Sequence, residues 1–378
     1  MRIVYAITYW GMTGGVKVLA QHVKLLNDRG HDARLITRIV EERWEAPFPP
    51  TIVPSFADRD IPPADVIVVT SPRDVEALWP VARDRGVPLV HFLQGFEPDY
   101  ILERITGSVV PEKFKAGGLL TKLRYRYKIS EWKRKLDRLD RLYRLPTIKA
   151  AISPHLVAAV QNRYQVPCRF LPNGIDLAVF RAKEPQPDYA GSISILSVGN
   201  SNIEYKAIPD VLEAVRILRE RGMDTVLTRV SPAPIPDGER LRGIADRFFV
   251  RIPELQIAGL YRESHVLIAA STEIEGFGLP PVEAMASGTP VILTKVSPFL
   301  AFDEPHDYAH FVDVHRPDLI ADGVQRIVRD PKLRGGLIRR GLEVAQKYSL
   351  ERLGRRLDEL LIECKRKDNH TEGILNDQ

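Results

Sequence analysis

The sequence contains very little cysteine and no long apolar run. Its 378 residues include only two cysteines, Cys168 and Cys364, which lie far apart. This usage is typical of a reducing cytoplasm, and the spacing suits no metal site. No apolar run approaches the roughly 20 residues that span a bilayer. The first residues, MRIVYAITYWG, carry one Arg and no small-residue cleavage site, so we expect a first strand there and not a signal peptide.

The overall composition is that of a soluble globular protein. Hydrophobic residues make up 44% of the chain and charged residues 27%, which are ordinary values for such proteins. The length is too great for one ordinary core, so two domains are expected. We therefore expect a cytoplasmic protein of two domains.

Positive charge is concentrated in one segment. Residues 113–149 contain thirteen Lys and Arg against Glu131, Asp137 and Asp140. Such a patch attracts anions, whether lipid head groups, nucleic acid or a phosphorylated substrate. A solvated helix face is the alternative interpretation.

Strand-like and helix-like segments alternate along the chain. The runs RIVYAIT, DVIVVT, VPLVHFLQ and IKAAIS are short and apolar, and helical or polar sequence follows each one. A second series begins at ISILSVGN and includes TVLTRV, SHVLIAAS and TPVILT. Apolar strands separated by helices predict parallel sheets covered on both faces. The fold class is therefore α/β, with two doubly wound, Rossmann-like domains facing each other across a cleft.

The domain bounds follow from composition. The segment RAKEPQPDYAGS is rich in Pro and charge and is the best linker. We predict a first domain over 1–185 with a basic helical insertion at about 112–144, and a second over 186–347. Residues 348–378 are predicted to form a helix that packs back on the first domain and ends in a frayed tail.

The segment STEIEGFGLPPVEAMASGTPVI, residues 271–292, carries the strongest chemical signal. It places Glu275 and Glu283 on either side of a Gly-Phe-Gly turn, where an apolar strand gives way to a helix that begins near Pro280. Free N–H groups at a helix N-terminus suit a diphosphate, and glycines let the backbone approach a ligand. Carboxylates are good acceptors for sugar and ribose hydroxyls. A nucleotide-sugar has both features, although Glu283 could equally serve only to stabilise the helix dipole.

The same segment resembles the signature of retaining GT-B glycosyltransferases of family 4, the glycosyl transferases group 1. In that family a Glu is followed by seven residues and a second Glu, and EGFGLPPVEAMASGTPV matches the pattern almost throughout. Three further segments resemble the family: LPNGID with Phe180, ILSVGNSNIEYKAIPDVLEAV, and AQKYSLERLGRRL. The amino-terminal GMTGGVKVLAQHVKLLNDRGHD resembles the family's glycine loop and first helix.

The resemblance implies roles for residues of the second domain, the donor domain of this family. Glu275 would bind the transferred sugar and Glu283 the nucleotide ribose, while Lys206 would bind the diphosphate. Backbone amides would contact the sugar and diphosphate at Gly276, Phe277, Gly278 and Leu279. Asn200 stands where the family usually has Arg, so charge stabilisation would depend more on Lys206 or on Arg229, which could also be only a strand-end charge.

In the first domain, the acceptor domain, the resemblance implies further contacts. Gly14 and Gly15 follow the first strand and could admit a phosphate or the acceptor, although a tight turn would also explain them. His91 is interpreted as ending the strand VPLVH and lying beside the transferred sugar; a core histidine is the alternative. Gln94 and Glu97, in QGFEP, would lie near the acceptor.

A metal is not expected. Asp58-Arg59-Asp60 spells the D-x-D metal motif of the other large glycosyltransferase fold, but it lies in a polar loop, and we interpret it as coincidence. The resemblance implies metal-independent catalysis with no cofactor beyond the nucleoside diphosphate sugar.

The predicted reaction moves a glycosyl unit from that donor to a hydroxyl acceptor, a glycan or a lipid-linked polysaccharide precursor, with retention of configuration. We expect the basic segment 113–149 to contact an anionic membrane at its inner face and not nucleic acid. Two alternatives stay open: a nucleotide-sugar epimerase of the same architecture, and a nucleotide-sugar binding protein without turnover.

Overall fold

The structure is a computed structural model that describes residues 1–11, 13–40, 48–107, 118–182 and 189–375. Its contacts divide the chain into two compact units. The first comprises residues 1–11, 19–171 and those from Leu357 onward, and the second comprises residues 12–18 and 172–356. Half of the predicted linker, residues 183–188, lies outside the described residues, and the predicted domain bounds at 185 and 347 stay predictions.

The first unit contains a seven-stranded parallel sheet. Its strands are β1 (Arg2–Trp10), β2 (Asp32–Val40), β3 (Thr51–Ile52), β4 (Val66–Val69), β5 (Leu89–Leu93), β6 (Ile148–Ala151) and β7 (Cys168–Phe170). The spatial order is β3-β2-β1-β4-β5-β6-β7. The central strands β4, β5 and β6 are buried along their whole length, which explains why they are apolar runs without alternation.

Helices connect these strands. They are α1 (Gly14–Asp28), α2 (Pro72–Asp84), α3 (Glu97–Thr106), α4 (Leu119–Arg144) and α5 (Pro154–Tyr164). The first residues of α1 group with the second unit and the rest with the first. Helix α4 is the predicted basic insertion; the start of that prediction, 112–117, lies outside the described residues.

The second unit contains a six-stranded parallel sheet. Its strands are β8 (Ile193–Val198), β9 (Thr225–Ser231), β10 (Arg247–Val250), β11 (Val266–Ala269), β12 (Val291–Thr294) and β13 (His310–Val312). Its helices are α6 (Ile208–Glu220), α7 (Asp237–Arg240), α8 (Glu254–Glu263), α9 (Leu279–Ala286), α10 (Ser297–Leu300), α11 (Pro317–Arg329) and α12 (Pro331–Gln346). A final helix, α13 (Leu350–Leu375), begins in this unit and groups with the first unit from Leu357 onward.

The strand order of the second sheet determines where a ligand can bind. The order is β10-β9-β8-β11-β12-β13, so the chain reverses its winding direction between β8 and β11. Connections beyond the carboxyl ends of two such strands leave in opposite directions and leave a crevice between them. The loops after β8 and β11 contain Lys206 and Glu275, so the topology brings the predicted site residues to this point.

Two parallel, doubly wound sheets confirm the predicted α/β class. Among the described residues, no helix is long and apolar enough to cross a membrane. Arg29, which directly follows α1, donates a hydrogen bond to Asp358 of α13 at 3.0 Å, and both residues belong to the first unit. The helix continues to Leu375, and residues 376–378 of the predicted frayed tail lie outside the described part.

Candidate active site

The turn between β11 and α9 has a geometry that only glycine allows at Gly278. This residue immediately precedes α9 and has φ +90°, which is in the left-handed region that favours glycine. A Cβ built there would lie 2.4 Å from Cε1 of Phe299. Pro280 and Pro281 occupy the first turn of α9, where a missing N–H costs no helical hydrogen bond. The turn therefore leads directly into a helix N-terminus, as the sequence predicts.

Phe277 fixes this turn to the core and leaves its backbone available. Its ring is buried and packs edge-to-face on Phe302 and Tyr348, with ring centroids 5.4 and 5.3 Å away. Within the described residues, the backbone N–H groups of Phe277 and Gly278 have no acceptor. Two unpaired N–H groups at the positive end of a helix dipole form a site for an anion.

Lys206 and Glu275 form an ion pair beside this turn. The Lys206 Nζ lies 2.5 Å from Glu275 Oε2, and the Ser271 hydroxyl donates to the same oxygen at 2.8 Å. Glu275 is only 6% exposed. Burial alone would raise the pKa of Glu275, but Lys206, Ser271 and the Gly276 N–H together hold the pKa below its ordinary value. Glu275 is therefore ionised at neutral pH.

Lys206 is charged for the same reason. Burial lowers the pKa of its ammonium, but the Glu275 carboxylate outweighs this effect and raises the pKa above its ordinary value. A cavity lined by Lys206, Glu275, Ser271 and Gly278 adjoins the pair. The centre of a water molecule can occupy about 10 Å³ of this cavity, which is room for about one water. The site thus holds one cation and one anion in contact.

The second carboxylate, Glu283, lies in α9 and accepts a hydrogen bond from Tyr261. The Tyr261 hydroxyl donates to Glu283 Oε2 at 2.7 Å, and the Tyr261 ring packs edge-to-face on Phe180, with centroids 6.0 Å apart. Burial raises the pKa of Glu283 to about 7, although Tyr261 and Lys17 act in the opposite direction. Glu283 therefore changes its protonation state near neutral pH.

Asn200 is the second residue beyond β8, in the loop that leads to Lys206. Its side-chain Oδ1 accepts a hydrogen bond from the Asn202 N–H at 3.0 Å. Asn200 is half-buried. With the oxygen turned toward the loop, the amide nitrogen is the group that can donate to a ligand.

The sequence allowed Arg229 to be only a surface charge at the end of a strand, but the structure buries it within the second unit. Its side chain is 0% exposed. Nε donates to Glu239 at 2.8 Å, Nη1 to the Ser197 carbonyl and hydroxyl at 2.8 and 3.3 Å, and Nη2 to the Gly199 carbonyl and Ser201 hydroxyl at 2.9 and 3.1 Å. A guanidinium has five N–H donors, and these five bonds use them all. This geometry leaves Arg229 no free N–H group for the predicted direct contact with a nucleotide-sugar.

Gly14 and Gly15 begin α1, and residues 12–18 group with the second unit. A Cβ built on Gly14 would lie 4.0 Å from Leu279 Cδ1. Gly14 thus lies against the first residue of α9. The predicted ligand contacts of the two glycines stay predictions.

The interpretation of His91 as the end of its strand is wrong. Strand β5 continues through Phe92 to Leu93, because these apolar residues extend the buried run. His91 is 1% exposed, and its ring packs against Tyr143 with centroids 5.1 Å apart. Neither ring nitrogen has a partner among the described residues. Burial, with Lys149 nearby, lowers the pKa of His91 to about 3. His91 is a neutral core residue of the first unit.

Gln94 is the first residue beyond the carboxyl end of β5, and Glu97 begins α3. The Tyr143 hydroxyl donates to Glu97 Oε2 at 2.7 Å. Burial raises the pKa of Glu97, which Tyr143 only partly offsets. Their predicted contact with the acceptor stays a prediction.

Asp58 and Asp60 are occupied by neighbouring residues. Asp58 accepts a hydrogen bond from Arg85 Nε at 2.5 Å, and Asp60 accepts one from the Ser55 hydroxyl at 2.5 Å. In the part of the chain that the structure describes, no three His, Cys, Asp or Glu side chains form a group that could hold a metal ion. The D-x-D spelling thus corresponds to a short 3₁₀ turn with structural contacts.

Comparison with known proteins finds a family match within the second unit. Residues 192–330 match the family described as Glycosyl transferases group 1. The match covers β8 to α11 and so includes the loops with Lys206 and Glu275, and the resemblance stated from the sequence is confirmed.

Curated relatives are similar over about half of the chain. A phosphatidyl-myo-inositol mannosyltransferase of Mycobacterium tuberculosis is 28% identical over 189 residues, which are 47% of this chain and 49% of that protein. A D-inositol 3-phosphate glycosyltransferase of Arthrobacter is 30% identical over 198 residues, 48% of this chain and 46% of that protein. The matched part thus spans about half the length of these relatives.

Solved structures match almost the whole chain. Sucrose-phosphate synthase from Thermosynechococcus elongatus has a TM-score of 0.74 and 16% identity, and the match covers 96% of this chain and 99% of that one. Anabaena HepE, solved in complex with UDP-glucose, has a TM-score of 0.72 and 15% identity over 96% and 100%. At this identity the likeness concerns the fold, and it confirms the predicted GT-B architecture.

Proposed function

We propose that this protein is a retaining glycosyltransferase that moves a sugar from a nucleoside diphosphate sugar to a hydroxyl acceptor. The observation that carries the proposal is the pair of unpaired N–H groups at Phe277 and Gly278, next to the Lys206–Glu275 ion pair. Together they offer donors for phosphate and an ionised acceptor for hydroxyl groups. The family match of the second unit supports the same conclusion.

In this proposal each group has a separate part of the donor to bind. The N–H groups and Lys206 bind the diphosphate, Glu275 accepts hydrogen bonds from the sugar hydroxyls, and Glu283 accepts them from the ribose. Lys206 can contact the diphosphate while it stays bonded to Glu275, because an ammonium has three donors. The ion pair therefore orients both side chains before the donor arrives.

The proposed catalysis relies on positioning and on charge. As the bond from the sugar to the diphosphate breaks, negative charge grows on the leaving oxygen. Lys206 and the helix N-terminus are fixed beside it and stabilise that charge without rearrangement. Since these groups supply positive charge from the protein, we propose transfer without a metal.

The acceptor is proposed to be a glycan or a lipid-linked precursor at the inner face of a membrane. The relative from Mycobacterium tuberculosis is named for a lipid acceptor, which supports this class. The described part of α4 exposes Leu123 and Tyr127 among its many basic side chains, a combination that suits an anionic membrane surface. We accordingly place the protein in the cytoplasm.

The test begins with the full chain and a thermal-shift screen of nucleoside diphosphates and their sugars, since a bound ligand raises the Tm. The donor identified is then incubated with and without an acceptor extract. Glu275→Gln should lower turnover by at least about a hundredfold with the fold intact. Glu213→Gln, which alters an exposed pair with Arg216 in the same unit, is the matched control and should retain full turnover.

Three other outcomes would contradict the proposal. Release of an epimerised sugar without acceptor would indicate an epimerase, and binding without any product would indicate a binding protein. Full turnover in the Glu275→Gln variant would show that the site lies elsewhere.

A further inference from the structure

The loop from Gly199 to Lys206 contains both predicted diphosphate contacts of the β8 end, Asn200 and Lys206. Its far end is held by the Lys206–Glu275 pair and by the Thr272 N–H, which donates to the Tyr205 carbonyl at 2.8 Å. Its near end depends on other bonds. The Gly199 N–H donates to the Val230 carbonyl of β9 at 2.9 Å. Acceptor groups of Ser197, Gly199 and Ser201 receive hydrogen bonds from Arg229.

The acceptors of Arg229 lie on both sides of Asn200 in the chain. The guanidinium contacts Ser197 and Gly199 before Asn200, and the Ser201 hydroxyl after it. The buried guanidinium therefore supports the stretch of backbone that presents the Asn200 amide. The stem of Lys206 packs close by, since a Cβ built on Gly199 would lie 3.6 Å from Lys206 Cγ.

The charge of Arg229 is neutralised inside the protein. Glu239 accepts from Nε at 2.8 Å and also from the Ser201 hydroxyl, and both members of the pair are buried. A neutral pair exerts little net attraction on a diphosphate beyond the loop. The contribution of Arg229 to donor binding must therefore be geometric.

We propose that Arg229, anchored by Glu239, is a positioning residue that fixes residues 197–201 so that Asn200 and Lys206 face the donor diphosphate. This rests on the proposed function. In this arrangement the guanidinium of Arg229 holds the loop backbone from the protein interior, and Asn200 is the residue that the loop presents to the ligand. Lysine could not replace it, because an ammonium has three donors and no planar fork.

The test compares two arginine variants of the full chain. Arg229→Lys removes the fork beneath the loop. Arg219→Lys is the matched control, because Arg219 also donates to two backbone carbonyls, a hydroxyl and a carboxylate in the second unit, but around Thr225 and Asp246. Calorimetric titration with inorganic pyrophosphate, UDP and GDP measures the affinity of each.

We expect Arg229→Lys to lower the affinity for the diphosphate that wild type binds by about tenfold or more, because several hydrogen bonds that order the site are lost. Arg219→Lys should lower the Tm comparably and leave affinity within about twofold of wild type. If Arg229→Lys yields no folded protein, Ser201→Ala is the milder variant. It removes only the hydroxyl that accepts from Arg229 and donates to Glu239, and it should weaken binding by about threefold.

A salt titration separates positioning from direct contact. Raising NaCl from about 50 to about 300 mM weakens charge–charge binding. The Arg229→Lys variant should lose affinity with salt as steeply as wild type, while Lys206→Met should show a flatter dependence.

Two results would overturn the proposal while the proposed function stands: wild-type affinity in both Arg229→Lys and Ser201→Ala, or a flattened salt dependence in an Arg229→Gln variant, which would indicate a direct contact. Failure of wild type to bind pyrophosphate, UDP, GDP or any other nucleoside diphosphate would refute the proposed function, and this assignment with it.

Discussion

Replacing Lys206 by Met should destabilise the second unit strongly, and by an amount that depends on pH. The substitution removes the ammonium 2.5 Å from Glu275 and leaves a carboxylate that is 6% exposed. Removing one member of a buried ion pair typically costs about 3–5 kcal/mol. Ser271 and the Gly276 N–H still donate to Glu275, so we expect the lower end, about 3 kcal/mol at pH 8.

The sign of the pH dependence follows from Glu275. In wild type its pKa lies below the ordinary value of 4.5, so the pair stabilises the fold above that value and the effect is lost as pH falls through the folded pKa. In the variant, burial without Lys206 raises the pKa above 4.5. The folded variant then takes up a proton at acidic pH, and its deficit relative to wild type shrinks as pH falls from about 8 toward about 5.

Urea unfolding at about pH 5 and pH 8 measures this deficit. The double variant Lys206→Met/Glu275→Gln should recover about 2 kcal/mol at pH 8, because no buried charge is left unpaired. Lys295→Met is the control: its pair with Asp313 is 53% and 58% exposed, and its loss should cost less than about 1 kcal/mol. Equal deficits at both pH values, or no recovery in the double variant, would show that Lys206 does not neutralise a buried Glu275 carboxylate.

Two further predictions concern the turn and the second carboxylate. Gly278→Ala should lower the free energy of unfolding by about 2 kcal/mol or more and abolish donor binding, because its Cβ would overlap Phe299 and its φ of +90° is strained. Urea unfolding measures the first effect and calorimetry the second. An unchanged affinity would contradict this prediction. Nucleotide affinity should rise about tenfold from about pH 6 to about pH 8 as Glu283, with a pKa of about 7, becomes an ionised acceptor. Glu283→Gln should flatten that profile, and a profile equal to wild type would exclude Glu283 from the site.

The sequence predicts the sheets and the turn well because both depend on local patterns. Buried parallel strands such as β4 and β11 must be short apolar runs. The left-handed conformation of Gly278 and the helix start at Leu279 need Gly and Pro in that order. The pairing of Lys206 with Glu275 depends on the strand order, and the resemblance to the family predicted only that both residues would contact one donor.

The errors concern burial, which a single sequence specifies poorly. His91 could end a strand or lie within it, and only the packing of Phe92 and Leu93 decides. Arg229 has the sequence context of a surface charge, and its partner Glu239 lies in a polar stretch without a visible pattern. Tyr261, which donates to Glu283, was missed because its spacing from that residue depends on how α8 packs. The hydrogen bond from Ser271 to Glu275 was also missed, although the position of Ser271 just after β11 could have indicated that it lies at the site.

The most direct measurement is a crystal structure of the full chain with its nucleoside diphosphate. We expect the diphosphate oxygens to accept hydrogen bonds from the backbone N–H groups of Phe277 and Gly278 and from Lys206 Nζ. A nucleotide bound elsewhere, with those N–H groups and the Lys206 ammonium not in contact with it, would contradict this expectation.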